Sequence, residues 1–157
     1  MRDFFFLKEN NSSPLIKAST GWLLLNAETK RPTRPKSLPD TVVFLPKIKA
    51  LDEDPKKLEK LSEPKFLKSF TIEYTDIDMN NHVNNTKYIE FILNSFPIKK
   101  FESQRINALT LFFFSEAKYG EKVDILSKED TNISQLLIRN KTKDSEILRA
   151  DISWKEL

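Results

Sequence analysis

The chain has 157 residues, 39% of them hydrophobic and 31% charged, a balance that suits one globular domain with a sizeable core. It contains no cysteine, which excludes a disulfide framework, a thiol nucleophile and a thiolate metal site, and its two glycines leave no phosphate-cradling loop. The net charge of +3 comes from dispersed residues rather than the clustered stripe nucleic acid requires, and the apolar run Phe4 to Leu7 is too short for a signal peptide or a membrane span, so a soluble cytoplasmic protein is expected.

Residues 2–8, rich in Phe, read as a strand, and Asn10 to Pro14 read as a turn. Residues 15–26 read as a longer strand ending in Trp22, Leu23, Leu24 and Leu25, which makes the N-terminal segment a β-hairpin. Two strands alone are rarely stable, so this hairpin needs a partner sheet. Residues 29–64 are Lys-rich and carry Pro32, Pro35, Pro39, Pro46, Pro55 and Pro64; they read as a connector, with a short helical piece near 40–45 or 55–61. Strand character resumes at 65–75. Residues 84–96 read as a helix whose apolar face is Tyr88, Ile89, Ile92, Leu93 and Phe96, capped by Asn84 or Asn85 and stopped by Pro97.

Four strands follow, at 105–117, 122–129, 132–141 and toward the C-terminus, with Tyr119-Gly120-Glu121 as the first turn. In the last strand Leu148, Ala150, Ile152 and Trp154 alternate with Arg149, Asp151 and Ser153, the period of a sheet with one wet face. One long helix against an antiparallel sheet is an α+β layer arrangement.

The densest polar cluster is DIDMNNHVNNTKY, residues 76–88, between a strand and the helix. It holds Asp76, Asp78, Asn80, Asn81, Asn84, Asn85 and His82, which is the only histidine. Alternation puts Glu116 on one face with Thr110, Phe112 and Phe114, where a carboxylate needs a partner or a task. The same Asn and Asp residues also read as ordinary caps and turn formers, and Phe112 to Phe114 as core.

DIDMNNHVNNTKYIEFILNSFP resembles the signature of acyl-acyl carrier protein thioesterases, in which D-hydrophobic-D-x-N-x-H-V-N-N precedes the helix of a hot-dog fold. SEAKYGE at 115–121 is similar to the family's second motif, and the N-terminal segment with its A-S-T-G-W-L-L-L run resembles the last hairpin of the family's first hot-dog domain. The resemblance implies residues 1–36 as the end of an incomplete first domain, 37–64 as a linker and 65–157 as a complete hot-dog thioesterase domain. It implies Asp78, Asn80, His82 and Glu116 as the catalytic set, with no cofactor and no metal. Plant members carry a Cys after the Glu; Ala117 stands there, which implies a water-based mechanism.

In that mechanism His82 faces Glu116 closely enough to share one water: Glu116 accepts a proton from it, His82 orients it or protonates the leaving thiolate, Asn80 holds water or carbonyl, and Asp78 fixes the imidazole. Amides near 82–86, unpaired at the helix start, polarise the thioester oxygen. The implied partner is an acyl carrier protein bearing a fatty acyl chain, not nucleic acid and not a membrane. Lys30, Arg31, Arg34, Lys36, Lys99 and Lys100 are solvated surface or, alternatively, a docking patch for that acidic partner. Two other readings compete: an acyl-coenzyme A hydrolase using the same residues, and a non-catalytic assembly module that forms a homo-oligomer through the exposed hairpin or a sheet edge.

Overall fold

The alternating apolar residues of the C-terminal half assemble a five-stranded sheet, antiparallel throughout, in the order β3-β5-β6-β7-β4. Its strands are β3 (Lys65–Thr71), β4 (Gln104–Phe113), β5 (Lys122–Asp130), β6 (Ile133–Asn140) and β7 (Ser145–Glu156). A separate two-stranded sheet pairs β1 (Arg2–Leu7) with β2 (Pro14–Thr20). The computed structural model describes residues 1–9, 12–26, 28–29, 31–33, 48–55 and 57–157. The chain divides into two compact units, Met1–Lys56 and Lys57–Leu157.

In the second unit, helix α1 (Asn85–Leu93) lays Tyr88, Phe91 and Ile92 on the inner face of the sheet, where they share one core with Ile125, Leu136, Ile138, Leu148, Ala150, Ile152 and Trp154. Each fully buried Ile or Leu among them contributes roughly 2 kcal/mol relative to exposure. This is the expected α+β arrangement of a helix against an antiparallel sheet. The Asn84 side chain accepts the Thr86 amide at 3.0 Å, so Asn84 and not Asn85 is the cap.

α1 ends at Leu93, short of the expected Phe96, and Pro97 stands beyond it as the extended N-cap of a second short helix, α2 (Ile98–Ser103), a position that needs no amide donor. Lys100 of α2 then reaches Glu129 and Ser134, and lies 4.5 Å from the centre of the Trp154 ring, closing that end of the core.

Several strand boundaries differ from the periodicity. β2 stops at Thr20, and Trp22, Leu23, Leu24 and Leu25 lie exposed beyond it, save for an isolated bridge from Leu25 to Pro32. Four consecutive apolar residues fit a strand only where both faces are covered. β3 ends at Thr71, where the chain turns into a single 3-10 turn, Tyr74–Asp76. β4 ends at Phe113: the Ile147 carbonyl takes both the Phe114 and Ser115 amides, which breaks the alternation before Glu116.

The expected wet face of β7 is partly covered. Leu58 and Leu61 are buried, and buried Arg149 donates from Nη1 to the Leu58 carbonyl at 2.9 Å. Residues 57–64, read from the sequence as the end of a connector, thus belong to the second unit, and among the described residues of 55–61 no helix forms. The other expected helical piece, near 40–45, lies outside the described residues.

In the first unit, the Asp3 carboxylate accepts the Ser19 hydroxyl across the hairpin and the Ala50 amide at 3.1 Å. Phe4, Phe5, Phe6 and Leu7 are exposed, although successive residues point to opposite faces. No helix among the described residues is long and apolar enough to cross a membrane.

Candidate active site

The DIDMNNHVNN segment folds into a narrow loop because its short polar side chains bond their own backbone. The Asp78 carboxylate accepts the Asn80 amide at 2.8 Å and the Asn80 side-chain amide at 3.4 Å. The Asp78 amide donates to the His82 carbonyl at 2.9 Å, and Ile77 and Val83 form an antiparallel bridge below. Asn81 at the tip takes a left-handed φ of 61°, which Asn tolerates better than most residues. The bond from Asn80 holds the Asp78 carboxyl below the usual carboxylate range.

At the base of the loop, buried Asp76 accepts the Glu73 amide at 2.9 Å, and its carbonyl takes the Asn84 amide at 2.9 Å. Lys87 Nζ, one turn into α1, lies 3.9 Å from its carboxylate. The loop is therefore tied to both the end of β3 and the start of the helix.

Glu116 arrives from the other direction, in the irregular segment after β4. That segment is docked on the loop: the Val83 amide donates to the Ala117 carbonyl at 3.1 Å. On its other side the Ala117 amide donates to the Tyr88 hydroxyl at 2.8 Å. Gly120, with φ 77°, then turns the chain back, and its amide bonds the Ile72 carbonyl at 3.0 Å. The result is a contact of 2.7 Å between His82 Nδ1 and Glu116 Oε2. The imidazole is about one-third exposed (35%) and the carboxylate more than half (58%), so the pair faces an accessible surface.

Residues 59–156 match the family described as the acyl-ACP thioesterase C-terminal domain. The chain belongs to the acyl-ACP thioesterase family. It is 32% identical over 138 residues to the chloroplastic palmitoyl-acyl carrier protein thioesterase of Cuphea hookeriana, covering 82% of this chain and 32% of the relative. It is 27% identical over 169 residues to the chloroplastic dodecanoyl-[acyl-carrier-protein] hydrolase of Umbellularia californica, covering 98% of this chain and 43% of that one. The chain spans about a third of the length of the curated relatives it matches first. The crystal structure of an acyl-ACP thioesterase from Bacteroides thetaiotaomicron superposes with a TM-score of 0.62 at 27% identity, over 83% of this chain and 53% of that one. The 12:0-ACP thioesterase of Umbellularia californica gives 0.61 at 28% identity, over 70% of this chain and 43% of that one. The α+β fold is the hot-dog fold of these enzymes.

Within this chain, the four residues singled out from the sequence stand in two places. His82 and Glu116 meet directly. Asp78 and Asn80 bond to each other at the loop tip, and the Asp78 carboxylate reaches His82 only at its backbone amide, 3.5 Å away. The imidazole is thus held by Glu116 rather than by Asp78. Glu116 stands exposed past the end of β4, not on a buried face, because the strand stops before it. The amides of His82, Val83, Asn84 and Thr86 are all engaged within the chain; of the amides from 82 to 86, Asn85 alone has no partner among the described residues.

The sequence reading assigned Tyr88 only to an apolar helix face, and it named Asp76 and Ala117 without the backbone bonds by which they tie the site together. A Tyr within an otherwise hydrocarbon face was the available signal, since a buried phenol normally finds a polar partner. Of the basic residues read as surface or docking patch, Arg31 and Lys99 are exposed, Lys100 is committed to Glu129 and Ser134, and Lys30, Arg34 and Lys36 lie outside the described residues. No cluster of metal-ligating side chains occurs among the described residues.

Proposed function

We propose that this chain carries the hydrolytic centre of an enzyme that cleaves fatty acyl thioesters of acyl carrier protein and releases the free fatty acid. The observation that carries the proposal is the 2.7 Å contact between His82 and Glu116, built from the two motifs of a chain in this family. Similarity to a palmitoyl-acyl carrier protein thioesterase and to a dodecanoyl-[acyl-carrier-protein] hydrolase supports the substrate class.

The geometry favours a division of labour different from the sequence expectation. An ionised carboxylate can only accept, so Nδ1–H of His82 donates to Glu116, and in the neutral form of the ring Nε2 is then the nitrogen with a lone pair. His82 Nε2 takes a proton from water while the water oxygen bonds to the thioester carbonyl carbon. Glu116 holds the ring and stabilises the imidazolium formed. Collapse breaks the carbon–sulfur bond, and the imidazolium returns the proton to the departing carrier thiolate. The Asn85 amide in the first turn of α1 is the donor left for the developing oxyanion, in the positive field of the helix start. With Ala117 after the glutamate, the nucleophile is water.

The deciding assay uses the whole chain with the same fatty acyl group on acyl carrier protein and on coenzyme A. Faster release from the carrier protein supports the proposal. Release from coenzyme A alone makes the chain an acyl-coenzyme A hydrolase, and release from neither leaves a non-catalytic unit.

A further inference from the structure

We propose that Tyr88 is a positioning residue for the His82–Glu116 pair: its buried hydroxyl accepts the Ala117 amide and so fixes the carboxylate that orients the imidazole. The inference rests on reading that pair as the hydrolytic centre.

Glu116 lies outside any strand, so no sheet ladder holds its backbone. What holds it is a set of discrete bonds. Upstream, the Phe114 and Ser115 amides converge on the Ile147 carbonyl, and the Ser115 hydroxyl donates to the Glu146 carbonyl at 2.7 Å. Downstream, both polar groups of Ala117 are gripped from the element that carries His82: its carbonyl by the Val83 amide at 3.1 Å and its amide by the Tyr88 hydroxyl at 2.8 Å. The two halves of the pair are therefore referenced to one rigid body, the loop together with the first turn of α1.

Tyr88 is suited to this work. It is 1% exposed, and its ring is wedged between Phe91 and Phe113, with centroids 6.3 and 6.1 Å away. The hydroxyl cannot wander, because the ring cannot. Burial pushes the phenol up to about 12, so the group stays neutral across any working pH. Ala117 is itself fully buried, so its amide has no water to turn to if the hydroxyl is removed. A phenylalanine would keep the ring and leave that amide without an acceptor. The peptide would shift to find one, carrying Glu116 with it.

A purely structural tyrosine would satisfy the same amide but would leave the pair's chemistry unchanged when removed, and this difference can be measured. His82 is the only histidine, so its imidazole nitrogens give a single titration by nuclear magnetic resonance with no assignment problem. In Y88F the expected results are a fall in kcat of about 10-fold or more with KM little changed, and an imidazole titration displaced toward that of E116Q. I92V, a core change on the same helix, should move neither. If Y88F does not fold, 3-fluorotyrosine placed at position 88 keeps the ring and weakens the acceptor, and should shift the titration in the same direction by less. A folded Y88F or fluorotyrosine protein with unchanged kcat and an unchanged titration overturns the proposal. A wild-type chain inactive on both thioesters would overturn the functional reading alone, since the titration still reports on the positioning.

Discussion

The Val83 amide and the Ala117 carbonyl are joined at 3.1 Å, and this one backbone bond sets the register in which the preceding residues, His82 and Glu116, face each other at 2.7 Å. The pair is thus an outcome of how a loop and an irregular segment dock, and the consequences can be tested at each level.

His82→Ala or Glu116→Ala should each lower hydrolysis of a carrier-bound acyl thioester by about 100-fold or more, the usual scale for losing an acid–base function. Because the two side chains act as a unit, the double variant should be no worse than the weaker single one. Steady-state rates on the three proteins check this, and additive losses would mean that the two groups act independently.

Asn84 is the cap of α1, accepting both the Thr86 amide and the Thr86 hydroxyl. Asn84→Ala should destabilise the fold by about 1 kcal/mol, while Asn84→Ser should restore most of the loss. Urea denaturation midpoints give the answer. A larger effect on kcat than on stability would assign Asn84 a part in the chemistry.

Asp78 organises the loop tip, and the Asn80 amide holds its carboxyl below the ordinary value of 3.8. A depressed folded-state value means that the stabilisation is fully present above the unfolded value and is lost as pH falls through the lower folded one. The loop should therefore stay ordered at neutral pH and loosen only in strong acid. In Asp78→Ala, hydrogen exchange of the Asn80 amide at neutral pH should accelerate. Exchange as slow as in the wild type would show that the carboxylate does not hold the tip.

Asp151, in the partly covered outer face of β7, has the opposite sign: burial pushes its carboxyl above 3.8, and the nearby Glu59 carboxylate adds to this. A raised folded-state value favours the protonated acid, so its contribution is present below the unfolded value and is lost as pH rises through the folded one. Asp151→Asn should therefore be more stable than the wild type at neutral pH, by less than about 1 kcal/mol because the group is partly solvated. The gain should vanish in acid. Thermal midpoints at two pH values test the sign, and a loss at neutral pH would refute it.

Much of this protein was determined by local pattern. The two-residue period of Leu148, Ala150, Ile152 and Trp154 and the three-to-four spacing of Tyr88 and Ile92 fix a strand and a helix, because each buries one face whatever lies across from it. The Asp and Asn run before the helix was equally legible, since those side chains bond within a few residues of themselves. The N-x-H-V-N-N run then carried the family. What only the tertiary structure decided depends on bonds between distant segments. The end of β4 at Phe113 follows from how the Ile147 carbonyl receives two amides. The burial of Arg149 follows from the Leu58 carbonyl crossing above it. Tyr88 reaching Ala117, and Glu116 touching the imidazole directly rather than through a shared water, follow from the docking of one segment on another. Periodicity reports which way a side chain leaves its own backbone; it holds no information about which distant peptide group will be waiting there.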